Sequence, residues 1–120
     1  MDCIFCKIIN NEIPSYTIYE DEKVKVFLDV NPKSCGHCLI IPKTHFKDLE
    51  DIDLNILTHI MEVAKQINNK LELKLNINGL QLVQNNGEIQ EVKHFHLHLI
   101  PYYKETKELS LEECFNLLKD

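Results

Sequence analysis

Apolar side chains recur at three- and four-residue steps at Leu54, Leu57, Ile60, Met61, Ala64, Ile67 and Leu71. That period predicts one long amphipathic helix, N-capped by Asp53 and ended within residues 76–79. Shorter patterns flank it. Residues 3–10 read as a short helix closed by Asn10-Asn11 and then Pro14. Residues 17–20 and 23–28 are β-rich on either side of Glu20-Asp21-Glu22, which predicts a hairpin. Asn31-Pro32-Lys33-Ser34 and Gly36 mark turns, and residues 38–42 a short buried strand. Residues 80–84 form another strand running into the Asn85-Asn86-Gly87 turn signal. A last strand spans 94–101 and a closing helix 109–118, with 119 at its end. Together these predict an α+β domain: a mostly antiparallel sheet of about five strands, one long helix and short flanking helices.

The chain's 120 residues match one domain, 1–120, and a chain this long buries roughly two-thirds of its unfolded surface. With 44% hydrophobic and 27% charged residues, disorder and low complexity are excluded. Thirteen Lys+Arg against nineteen Asp+Glu leave a formal charge of −6, which argues against a nucleic-acid-coating or membrane-surface protein. A small phosphate ligand stays open, since backbone N–H groups and histidines can hold one. No apolar run approaches the ~20 residues of a membrane span, and the first residues lack the basic and apolar regions of a secretory signal. The expected location is cytoplasmic.

His94-Phe95-His96-Leu97-His98 carries the chemistry. On a strand, alternate side chains share a face, so three imidazoles would line one side ~6.5–7 Å apart while Phe95, Leu97 and Leu99 enter the core. Set against a merely solvent-facing polar edge, two sharper readings stand. The row can bind zinc with a ligand from elsewhere, or serve phosphoryl chemistry. In the latter, one neutral imidazole attacks phosphorus while its neighbours donate hydrogen bonds. The flanking residues favour phosphoryl chemistry.

His94-x-His96-x-His98 with Leu99-Ile100 resembles the signature of the histidine triad (HIT) nucleotide-binding proteins. The similarity extends to Cys3-Ile4-Phe5-Cys6-Lys7-Ile8-Ile9, Ile13-Pro14-Ser15, Tyr19-Glu20-Asp21-Glu22, Phe27-Leu28-Asp29-Val30, Gly36-His37, Ile41-Pro42-Lys43-Thr44-His45 and Gln90-Glu91-Val92. It spans residues 3–101 and is greatest to the branch of small adenosine-phosphoramidate hydrolases. The resemblance implies the HIT-like fold and a homodimer paired through the long helix and a central strand. It also implies cleavage of purine nucleoside 5′-phosphoramidates through a covalent nucleotidyl group on His96. His98 and His37 then hydrogen-bond phosphate oxygens or the departing group, with His94 the first member of the triad. Phe27, Leu28 and Val30 wall the base, although by spacing alone they are equally core residues. Asp29 takes the ribose hydroxyls, as an acceptor-only carboxylate can, and Asn85 and Gln90 reach sugar or phosphate. Segment 85–90 is shorter than the family's loop and lacks its second glycine. Glu91 stands where relatives have Ser or Thr, which removes a hydroxyl and puts negative charge near the phosphate. Alternatives are a dinucleoside polyphosphate hydrolase, a non-catalytic nucleotide-binding regulator and a zinc-stabilised adaptor.

Five cysteines without an export signal point to thiols or metal ligands rather than disulfides. The resemblance implies a structural Zn2+ held by Cys3, Cys6, His45 and His94, a donor set suited to a closed tetrahedral site. A rival set joins Cys3 and Cys6 to Cys35 and Cys38. Cys114 reads as a packing residue, and His59 as a helix-surface or packing histidine.

Overall fold

In the computed structural model, which describes residues 3–119, the elements run α1 (Ile4–Ile9), β1 (Thr17–Glu20), β2 (Val24–Leu28), β3 (Cys38–Pro42), α2 (Leu54–Leu75), β4 (Gly79–Val83), a 3₁₀ turn (Gly87–Ile89), β5 (Leu97–Tyr102) and α3 (Leu111–Leu118). The five strands form one antiparallel sheet in the order β1-β2-β3-β5-β4. Among the described residues no helix is long and apolar enough to cross a membrane.

Caps set the helix limits. Asp53 accepts from the Asn55 and Ile56 N–H groups, and Asn76 ends α2 in the left-handed conformation at φ 53°. Cys3 caps α1, its sulfur accepting from the Cys6 N–H. Helix α3 starts at Leu111 rather than 109, because Ser110 and Glu113 form a reciprocal capping box. The buried face of α2 comprises Ile60, Val63, Ala64, Ile67, Leu71 and Leu75. Leu54, 73% exposed, and Met61, 42% exposed, lie off that face. Each residue turns the helix by about 100°, so Met61 points a quarter-turn away from Ile60. His59 is a helix-surface residue that pairs with Asp21 at 2.7 Å.

The sheet is covered on both faces. Against α2 and α3 pack Val24, Val26, Leu28, Cys38, Ile40, Leu97 and Leu99. Phe27, Leu39 and Ile41 meet Phe5 and Ile8 of α1 on the other side. On this α1 face Lys25 is buried, and its ammonium ties α1 down by donating to the Ile8 carbonyl at 3.0 Å. Strand register places Phe27, Leu39, His98 and Val83 in one row across β2, β3, β5 and β4. Gly36 joins the two faces. At φ +89° it lies so close to α2 that a Cβ would sit 2.8 Å from Leu75 Cδ1, while the next residue, His37, faces the opposite side. Only glycine meets both demands.

The final strand begins later than alternation predicts, at Leu97 rather than 94. The Phe95 N–H donates to the Phe46 carbonyl, and the His94 carbonyl accepts from the His96 ring. These backbone groups are satisfied outside the ladder, so residues 94–96 stand apart from the sheet.

Candidate active site and metal centre

A cavity of about 470 Å³ opens over the Phe27–Leu39–His98–Val83 row. Helix α1 walls it with Ile4, Phe5 and Ile8, and Asp29, Val30 and His37 line the end beyond β2. His96, His98, Asn85 and Glu91 line the rest of its polar surface together with Ser15, Asn31 and Lys33. Leu28 borders the cavity while packing mainly into the core beneath the sheet.

The hydrogen bonds assign each imidazole's tautomer. The Lys33 N–H donates to His37 Nδ1 at 3.1 Å, so the His37 proton sits on Nε2. That N–H donates to His98 Nδ1 at 3.0 Å, which leaves His98 with its proton on Nε2, as a donor. Asp29 Oδ2 lies 3.6 Å from His37 Nε2. His96 is the converse case: Nδ1–H donates to the His94 carbonyl at 2.8 Å, leaving Nε2 with a free lone pair. Burial pushes the pKa of His37 and of His96 below the ordinary 6.5. Burial, then the neighbouring His96 and His37, pushes that of His98 down to about 4. All three are neutral imidazoles at neutral pH, one offering a nucleophilic nitrogen and another a hydrogen-bond donor.

His94 does not join this set. Its ring faces a separate cluster, where its Nδ1 lies 3.1 Å from His45 Nδ1, 3.4 Å from Cys3 Sγ and 3.6 Å from Cys6 Sγ. Cys6 Sγ is 3.3 Å from His45 Nδ1. His94 Nε2–H donates to the Pro42 carbonyl at 2.8 Å, which turns the Nδ1 lone pair towards the sulfurs. Around a tetrahedral zinc, N and S ligand atoms stand about 3.3–3.8 Å apart, so the four donors fit in type and spacing. Burial and the Cys3 thiol push the Cys6 thiol up to about 11, a group that a cation would deprotonate. The rival all-cysteine set is not assembled. Cys35 and Cys38 lie in the core on the α2 face, whereas Cys3 lies on the α1 face. Cys35 instead meets Cys114, Sγ to Sγ at 2.6 Å.

Gln90 is likewise not brought to the cavity. It is buried, and its amide donates to the Lys47 carbonyl at 2.6 Å. Sequence reasoning passed over Lys33, whose backbone sets the His37 tautomer, and Phe5, whose ring packs edge-on against that of His96 with the ring centres 5.0 Å apart. The apolar period of α1 is the signal that points to Phe5; nothing local points to Lys33.

Residues 10–105 match the sequence model of the HIT domain. A HIT-like protein of Methanocaldococcus jannaschii is 40% identical over 128 aligned positions, covering 98% of each chain. Adenosine 5′-monophosphoramidase of Saccharomyces cerevisiae is 46% identical over 82% of this chain and 61% of its own. The crystal structure of a zinc-bound histidine triad family protein from Mycobacterium smegmatis superposes with a TM-score of 0.92. It is 33% identical, covering 99% of this chain and 91% of that one.

Proposed function

This chain belongs to the HIT domain family, and from that premise we propose that residues 1–120 act as one domain hydrolysing purine nucleoside 5′-phosphoramidates. The observation that carries the reading is the His96 tautomer: Nδ1–H is held by the His94 carbonyl and Nε2 is free beside the cavity. In the proposed reaction the Nε2 lone pair attacks the α-phosphorus, and the P–N bond to the amine breaks as that nitrogen takes up a proton from solvent. The nucleotidylated ring is cationic, and the His94 carbonyl stabilises it by accepting from Nδ1–H. Water then attacks phosphorus, the P–Nε2 bond breaks, and the nucleotide leaves as neutral His96 is restored and the water's proton passes to solvent. His98 Nε2–H donates to a phosphate oxygen or the departing group, and His37 keeps His98 in that tautomer. Asp29 accepts from the ribose hydroxyls, Asn85 reaches the sugar–phosphate, and Phe27 and Val30 flank the base with Leu28 behind them. Gln90 lies outside the cavity lining, its amide donating to the Lys47 carbonyl. The reading is tested by AMP release from adenosine 5′-phosphoramidate; a wild-type chain inert towards every nucleotidyl conjugate overturns it.

The imidazole pKa shifts set the pH profile. A lowered pKa keeps the ring neutral to lower pH, so acid inactivation moves down with it. After subtraction of the uncatalysed rate, kcat/KM is expected to hold its level as pH falls through the ordinary histidine value of 6.5 and to be lost towards about 4, where His98 takes up a proton. An acid limb centred on the ordinary histidine value would contradict the assigned environment.

We also assign Cys3, Cys6, His45 and His94 as the ligands of a zinc ion. Closed by four protein donors, the ion would supply structural cross-linking rather than Lewis-acid chemistry. The five free thiols suit a reducing cytoplasm. The homodimer reading rests on β4, an edge strand whose outer backbone groups have no partner strand among the described residues. Its Leu82, 45% exposed, lines a groove with Met61 and Ala64 of α2. Light scattering is expected to give twice 14.1 kDa, and Leu82→Asp to give the monomer mass.

A further inference from the structure

The cavity has a direction. Its floor crosses the strands in the order β2, β3, β5, β4, through Phe27, Leu39, His98 and Val83. With the nucleoside at the β2 end, beside Asp29 and α1, the α-phosphorus lies at His98 of β5 and at His96 just before that strand. The remaining substituent on phosphorus, the leaving group, then extends over the other end. That end is lined by Val83 and Asn85, and Glu91, which also lines the cavity, follows them in the connection from β4 to β5.

Glu91 gives that end its charge. The side chain is exposed, lines the cavity, and makes no hydrogen bond or ion pair among the described residues. Its neighbour Lys93 is occupied elsewhere, donating to the Gly87 carbonyl at 2.8 Å. Lys33, the lysine that lines the cavity, belongs to the loop between β2 and β3, at the nucleoside end.

Resting on the phosphoramidase reading, we propose that Glu91 determines leaving-group specificity, favouring phosphoramidates of amines that carry a second, cationic group over neutral amines and over polyphosphates. An unpaired carboxylate within several ångströms attracts a cation and repels a phosphate chain. At a solvent-facing site this amounts to about tenfold between a cationic and a neutral leaving group at low salt.

The test compares kcat/KM for two adenosine 5′-phosphoramidates of matched length, made from 1,4-diaminobutane and from butylamine. The wild-type ratio is expected to favour the diamine conjugate by about tenfold at low ionic strength and to shrink with added salt. Glu91→Gln should bring the ratio close to one, Glu91→Lys should invert it, and Glu91→Asp should retain it. Glu88→Gln, an exposed acid outside the cavity lining, should leave the ratio as in wild type. Any general loss from a disturbed loop cancels in the ratio. A wild-type ratio of one, or a preference that survives Glu91→Gln, overturns this assignment alone. Failure of the wild type to turn over either conjugate overturns the phosphoramidase reading and this one with it.

Discussion

Replacing His96 with alanine is expected to lower AMP release from adenosine 5′-phosphoramidate by about four orders of magnitude while AMP still binds. The magnitude follows from what is removed. Without Nε2 no nucleotidyl-enzyme forms, and only positioning by Asp29, His98 and the cavity walls remains to help water attack directly. The ring is 5% exposed and packs edge-on against Phe5, so its loss also leaves a void that lowers stability. Thermal unfolding of the same preparation, and AMP affinity by calorimetry, separate that cost from lost chemistry. A second variant sharpens the result. In His96→Gly, added imidazole can occupy the vacated space and supply a ring nitrogen, so partial recovery of turnover identifies the nucleophile as an imidazole. Undiminished activity in His96→Ala would remove His96 from its role.

Cys6→Ser is expected to reduce zinc from one ion per chain to well below that, and to lower the unfolding temperature by at least about 10 °C. The cluster draws together α1, the segment after β3 and the segment before β5, three parts of the chain distant in sequence. Losing a structural zinc costs several kcal/mol, and for a domain this size each kcal/mol shifts unfolding by about 4 °C. The effect should extend to catalysis, because His94 joins the two centres: its ring faces the cysteines while its carbonyl holds His96 Nδ1–H. Chelator treatment of the wild type should reproduce the variant's unfolding temperature. Metal analysis finding no stoichiometric zinc in the wild type would end the proposal.

Much of this arrangement is legible in the chain because it is local. Asp53 and Asn76 bound α2 through their own side chain and backbone. The continuous run Cys38-Leu39-Ile40-Ile41-Pro42 is buried throughout, as a strand covered on both faces must be. The pairing of 17–20 with 24–28 follows from the turn residues between them. The histidine spacing points to one reactive face, and it is the family resemblance that joins Phe27-Leu28-Asp29-Val30 and Gly36-His37 to it before any contact is known.

What the sequence by itself determined, then, was the order and limits of most elements, since periodicity and capping act within a few residues, while its resemblance to a family supplied the residues proposed to carry the chemistry. Tertiary structure divided those residues between two centres. Alternation assigns His94, His96 and His98 to one face only if the strand is continuous. It begins at Leu97, because Phe46 and the His96 ring take the backbone groups of Phe95 and His94. That freed His94 to turn towards Cys3, Cys6 and His45, sent Gln90 to Lys47, left Glu91 at the cavity, and paired Cys35 with Cys114 across the core. Each outcome is settled by a partner far away in sequence, and the energy of a buried polar group depends on whether such a partner is there.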